Sequence, residues 1–423
     1  MKNAYLYIAV ATTLIYPFAQ AQTKTEPGGN PADAGMAINQ PFEYAWRLFF
    51  FLNHQAKSGT AGEPDESKET FRNYDDDKPV VWETWAAATG GLALGPNEPN
   101  RSEVYKAKGA KPGEWSQLPR QSAQPKVLEP TLTTIESALK NAVMPREVGV
   151  LRNAPGINPF FIVPTALGKD DEIRLNKATY DHIRDNYLYS AEGLKAAYQK
   201  AVASGNRDLI TFPPTSKEVK ARWIKIKPTD KPRYHWRSIE VTDSTGAKTT
   251  EVWGLSGFHI LTKDLPNWFW TDFQHVDDEP QAIAEGRPSV DPTTREQFGQ
   301  KAPSGENGVR NETKGSKWEY YRLRGTQVDF TDKFGKPTQL ANTRIEPSGE
   351  GASSCITCHA KATTSAVIRP NTRPPFVVQT LPVVFVDGLP DPRQFLLPNG
   401  KPQFVQTDFL WSMPFRAHSE TEP

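Results

Sequence analysis

The sequence predicts an α+β protein that is β-rich, with long loops and a few helices. Three observations point there. The 423 residues include 37 prolines, and proline breaks helix interiors and removes a backbone donor, which excludes a helical bundle. Apolar and polar residues alternate repeatedly between residues 219 and 331, the period-two signature of strands with one buried face. Helical spacing, by contrast, is confined to isolated stretches separated by Pro- and Gly-rich segments.

From the N-terminus, Met1-Lys2-Asn3 is a short positive start, Ala4 to Phe18 is mostly apolar, and Ala19-Gln20-Ala21 is a small-x-small cleavage site. Residues 1–21 therefore read as a secretory signal peptide. Thr12, Thr13 and Pro17 interrupt the apolar stretch, which falls short of the roughly 20 apolar residues a spanning helix needs. No stable membrane span is expected after cleavage. Residues 22–40 are Gly, Pro and polar, the composition of a flexible tether. A mixed α+β domain is expected over 41–340, and a separate C-terminal region over 341–423.

Within the domain, Phe42, Trp46, Phe49 and Phe50 recur at helical spacing and predict a largely buried helix ending near His54. The polar run from Lys57 to Asp77 reads as a solvated loop. Val80 to Trp85 suits either a short strand or a helix start. Between Gly90 and Pro130 a surface excursion is expected, then a strand at Pro159 to Pro164. Two helices follow, around Lys177 to Tyr189 and from a Ser190 cap to a Gly205 stop. Val219 to Lys227, Val252 to Leu261 and Trp268 to Val276 alternate as strands, and Trp318 to Leu323 with Gln327 to Thr331 reads as a hairpin over Arg324-Gly325. Val377 to Val386 and Phe404 to Trp411 are expected as further strands. There is no internal repeat.

Formal net charge is +1 with the signs interspersed, so neither nucleic acid nor an anionic surface is indicated as a partner. The chemistry is concentrated in one place. Cys355 and Cys358 are the only two cysteines, and His359 follows directly. Cys-x-x-Cys-His is the c-type haem attachment pattern: each thiol forms a thioether with a haem vinyl, and the imidazole binds the iron beneath. A zinc ribbon would need a second Cys or His pair at matched spacing, and there is no second cysteine pair. A thioredoxin-like dithiol would open a helix after a strand near the start of a βαβ unit, whereas this motif follows a Gly- and Pro-rich loop late in the chain. A disulfide over a two-residue spacer would close a small, strained ring. The expectation is one covalent haem c on Cys355 and Cys358, with His359 as proximal ligand, carried in a loop or short helix of an irregular C-terminal region.

A sixth iron ligand would decide between electron transfer and an open, reactive iron. Met413 is the first candidate, because Met413-Pro414 resembles the segment that supplies the distal thioether in many small cytochromes c. His275 and His259 on the preceding strands are the alternatives. His235 has no distinguishing context, and His418 is expected in a frayed tail.

The run Ser354-Cys355-Ile356-Thr357-Cys358-His359-Ala360, together with Phe258 to Asp277 and Pro213 to Trp223, resembles large exported monohaem c-type cytochromes and not the common small cytochrome c fold. The resemblance implies haem and redox competence and a periplasmic or otherwise exported location, without a known substrate. An electron carrier serving an unidentified redox partner protein is favoured. The alternative is a haem enzyme acting on a small-molecule substrate such as peroxide or a nitrogen oxide.

Overall fold

The computed structural model describes residues 32–68, 71–76, 78–88, 102–118, 148–150, 171–242, 248–278, 313–342, 344–345, 353–371, 374–381 and 387–421. In chain order the helices are α1 (Ala34–Asn39), α2 (Pro41–Asn53), α3 (Lys177–Asp185), α4 (Ala191–Ser204), α5 (Cys355–His359) and α6 (Ser412–Arg416). The strands are β1 (Ala86–Ala87), β2 (Val148–Val150), β3 (Asp171–Leu175), β4 (Lys217–Lys225), β5 (Trp236–Thr242), β6 (Lys248–Thr262), β7 (Phe269–His275), β8 (Tyr321–Gln327), β9 (Thr363–Ile368), β10 (Phe376–Thr380) and β11 (Val405–Gln406). The fold is α+β and β-rich, as the alternation and the prolines imply.

A seven-stranded sheet in the order β1-β3-β4-β6-β7-β8, with β5 on β6, forms the scaffold. Its strand pairings among the described residues are all antiparallel. A smaller sheet runs β11-β9-β10-β2. Helix α2 covers one face of the large sheet: Phe49 packs on Phe273 at 4.3 Å between ring centroids, and Trp46 meets the same ring edge-on at 4.9 Å. Val219, Ala221, Phe258 and Ile260 share that face, all fully buried. Because side chains alternate across a strand, Lys220, His259 and Asp272 point to the other face. There α5, α6 and the 405–411 segment join a second core with Leu261, Trp268 and Trp270.

That second core holds Leu340 and Cys355 together, so packing is continuous across the expected boundary at 340/341. The helix expected from Phe42 is α2, begun by Pro41 and ended with His54 as C-cap. Helices α3 and α4 also match, α4 with Ser190 as N-cap and Gly205 left-handed at its end. The sequence reading needs correction elsewhere. Part of the expected tether is the helix α1, capped by Asp33 and burying Ala37. Val81–Thr84 is a 3₁₀ turn. The expected hairpin over Arg324-Gly325 is one strand, β8, preceded by a 3₁₀ turn at Lys317–Tyr320. Gly325 pairs opposite Asp272 beside a register shift instead of turning the chain. Strands β1, β2, β3, β5 and β9 are additions. His418 is buried and its carbonyl accepts from the Ala191 amide, so that part of the tail is docked. The signal peptide and the Pro159 to Pro164 strand lie outside the described residues.

Candidate functional site

Helix α5 is the five-residue run Cys355-Ile356-Thr357-Cys358-His359. So short a helix is unstable alone and forms only where its ends are held. Ser354 caps it, accepting from the Thr357 amide. Gln327 at the end of β8 clamps the same terminus, donating to Ser354 Oγ at 2.9 Å and accepting from the Ile356 amide at 3.2 Å. Thr357 Oγ1 donates to the Gly388 carbonyl at 2.7 Å. Both amide atoms of one buried glutamine thus tie the motif to the large sheet.

No disulfide joins the two cysteines; Cys355 is buried and Cys358 half-buried. Residues three apart on a helix have Cβ atoms about 5–6 Å apart, whereas a disulfide needs roughly 3.5–4.5 Å. Helical geometry therefore keeps the thiols separate and on one side. Cys355 Sγ donates to the Leu340 carbonyl at 3.1 Å.

His359 is held by a different segment. Its Nδ1 lies 2.8 Å from the Phe409 carbonyl, which assigns the proton to Nδ1 and leaves Nε2 as the lone-pair nitrogen. Burial, and then the neighbouring His259, push its pKa down to about 3, so the imidazole is neutral at neutral pH. The carbonyl is presented by an unusual turn: Asp408 and Phe409 both lie in the left-handed region, at φ 46° and 72°. Non-glycine residues adopt that region at a cost and only where the surroundings hold them. Asp408 supplies the hold. Its carboxylate accepts from the Phe212 amide at 2.7 Å, from Lys263 Nζ at 2.6 Å and from Trp268 Nε1 at 3.2 Å. Trp268 is itself left-handed, at φ 62°.

The His359 ring faces Trp270 at 4.7 Å and His259 at 5.9 Å, centroid to centroid. His259 is 2% exposed, yet neither of its ring nitrogens has a hydrogen-bond partner among the described residues. Its Nδ1 is 3.5 Å from Asp272 Oδ2, too long for a bond, and that oxygen is also unbonded. The other carboxylate oxygen accepts from Asn342 Nδ2 at 2.8 Å. Leaving such groups buried and unbonded costs about 1–3 kcal/mol each; His235, on the other face of the sheet, is also buried with both ring nitrogens unbonded, so it is the position of His259 beside His359 that sets it apart. Glu218 on the same sheet face is likewise buried, and burial pushes its pKa up to about 7 against the lowering by Arg416 and the Ser412 hydroxyl.

The structure brings some expected residues together and separates others. Cys355, Cys358 and His359 share α5, and His259 lies beside them. Met413 is fully buried on α6 in the same core as Cys355 and Phe409. His275 lies on the opposite face of β7, stacked on Tyr234 at 3.6 Å with Nε2 3.0 Å from the Arg233 carbonyl and Nδ1 accepting from the Asp277 amide. Both its nitrogens are occupied there. His235 is buried in the α2-side core, stacked on Trp318 at 4.8 Å. Among the described residues no group of three or more His, Cys, Asp or Glu is placed to hold a metal ion by itself.

These residues fit covalent haem: two separate thiols on one helix, an imidazole with Nδ1 held and Nε2 available, and a buried unbonded histidine alongside. Sequence reasoning missed Phe409, Asp408 and Gln327, whose roles depend on backbone atoms and long-range contacts that no spacing reveals. Among the described residues no helix is long and apolar enough to cross a membrane. Comparison of the chain with protein-family models, curated proteins and solved structures finds no match.

Proposed function

We propose that the chain is an exported c-type haem protein that carries one haem on Cys355 and Cys358, with His359 as proximal ligand, and passes electrons to or from a redox partner. The observation that carries this reading is the fixed orientation of His359 on a Cys-x-x-Cys-His helix, with Nδ1 directed to the Phe409 carbonyl. When bound, haem supplies a one-electron couple. The chain's residues do the rest. Gln327 and Ser354 hold the helix that carries the thiols, the Asp408-clamped turn sets the imidazole tautomer, and Trp270 packs against the half-buried ring. A held, neutral imidazole suits a carrier, whose site must change little between oxidation states.

The test is optical spectroscopy of protein produced with haem-attachment machinery, titrated between reductant and oxidant. Reversible conversion between ferric and ferrous spectra, with slow or absent carbon monoxide binding, is expected. Rapid formation of a carbon monoxide adduct would contradict the carrier reading and favour a haem enzyme acting on a small molecule.

A further inference from the structure

From the arrangement around β6 and β7 we infer that His259 is the second axial ligand of the haem iron and that Asp272 positions it, so that both ligands are imidazoles. This rests on the haem reading above.

Four observations converge on it. His259 and His359 come from distant parts of the chain, and their ring centroids lie 5.9 Å apart. Two imidazoles on opposite sides of one metal, each with a metal–nitrogen bond of about 2 Å and a ring radius of roughly 1.2 Å, have centroids about 6.4 Å apart, so the two rings are already within about half an ångström of that spacing. Second, His259 is 2% exposed and its ring nitrogens have no hydrogen-bond partner among the described residues. A metal bond satisfies such a nitrogen, and buried polar groups in native proteins are almost always satisfied.

Third, each imidazole has an acceptor beside Nδ1: the Phe409 carbonyl accepts from His359 at 2.8 Å, and Asp272 Oδ2 lies 3.5 Å from His259 Nδ1, close enough to become a bond with a small shift of either side chain. A carboxylate or carbonyl on the remote nitrogen is the usual companion of a metal-bound histidine, because it fixes the tautomer and leaves Nε2 for the metal. Fourth, the companion is held in turn. Asp272 is the cross-strand partner of His259, it is fully buried, and Asn342 donates to its other oxygen at 2.8 Å. Asn342 fills the space above Gly257, where any Cβ would approach it to 3.1 Å. None of this support surrounds Met413, an apolar core residue, or His275, whose nitrogens are already bonded.

Two consequences follow. Imidazole in place of thioether removes the preference for ferrous iron, so the reduction potential falls relative to a His–Met site. The Asp272 carboxylate adds electron density to the imidazole and lowers it further.

The experiment compares wild type, His259→Ala, His259→Met, Asp272→Asn and Met413→Ala, each first shown by mass to carry covalent haem. Wild-type ferric protein should be low-spin with a near-infrared band of the bis-imidazole type and no thioether-to-iron charge-transfer band. His259→Ala should lose the low-spin signal and bind carbon monoxide at least 100-fold faster. If that variant does not fold, His259→Met decides: it should stay low-spin, gain the thioether band and shift to higher potential. Asp272→Asn should keep the ligation and raise the potential, which a merely structural role would not do. Met413→Ala should leave the spectrum unchanged. A wild-type thioether band lost in Met413→Ala, or haem-loaded His259 variants with the wild-type spectrum, overturns the inference while leaving the haem reading intact. Wild type maturing without covalent haem overturns both.

Discussion

Replacing Asp408 with alanine should destabilise the protein by at least about 3 kcal/mol, because it strands a buried cation. Asp408 and Lys263 are 9% and 8% exposed and meet at 2.6 Å. Breaking such a pair by removing one partner costs about 3–5 kcal/mol, and the bond that Lys263 keeps to the Pro266 carbonyl at 2.8 Å argues for the lower end. Loss of the bonds from the Phe212 amide and Trp268 Nε1 works in the other direction, as does alanine at φ 46°, worth about 1 kcal/mol. Asp408→Asn separates these effects, since asparagine tolerates the left-handed region and keeps one acceptor while losing the charge. Urea unfolding followed by tryptophan fluorescence measures them. A double-mutant cycle with Lys263→Met should give a coupling of at least about 1 kcal/mol, because removing both charges leaves neither stranded. An Asp408→Ala midpoint equal to wild type, or effects that simply add, would refute the account of the turn that presents Phe409 to His359.

Two further expectations concern other parts of the molecule. Burial, followed by repulsion from Arg237, lowers the His235 pKa from 6.5 to about 3, so the unfolded chain binds more protons between those values and stability must fall as pH drops through that window. Between pH 6.5 and 4.5 the loss from this group is about 2 kcal/mol, and His235→Phe, which keeps a ring on Trp318, should remove it; identical pH profiles for variant and wild type would be contrary. At Gly193 an added Cβ would sit 1.5 Å from the Tyr187 carbonyl oxygen, whereas at Gly205 nothing lies within 4 Å. Gly193→Ala should therefore prevent soluble expression or lower the unfolding midpoint far more than Gly205→Ala, whose cost is about 1 kcal/mol from its left-handed backbone; equal midpoints would contradict this.

The legible parts of the sequence were those with local chemical signatures. Ser190 and Gly205 bracket α4, the phenylalanine and tryptophan spacing of α2 needs no tertiary context, and the alternation of β4, β6 and β7 reflects one buried face. Gly325 misled because glycine beside arginine suits a turn as well as a strand bulge, and only pairing with Asp272 decides between them. The 405–411 segment misled similarly. Its apolar residues suggested a strand, but Asp408 accepts three long-range bonds that bend the backbone through the left-handed region. At the candidate site, spacing alone points to Cys355, Cys358 and His359. Met413 drew attention through its proline neighbour, whereas the significance of His259 lies in its missing hydrogen bonds and in Asp272 across the strand pair, which become visible only when β6 and β7 are set in register.

The most direct test of the central claim is the intact mass of the denatured protein, isolated from the exported fraction of a host with haem-attachment machinery. A chain beginning near Gln22 with one haem still bound is expected, with loss of two-thioether attachment in Cys358→Ala. A wild-type mass equal to the bare polypeptide would contradict it.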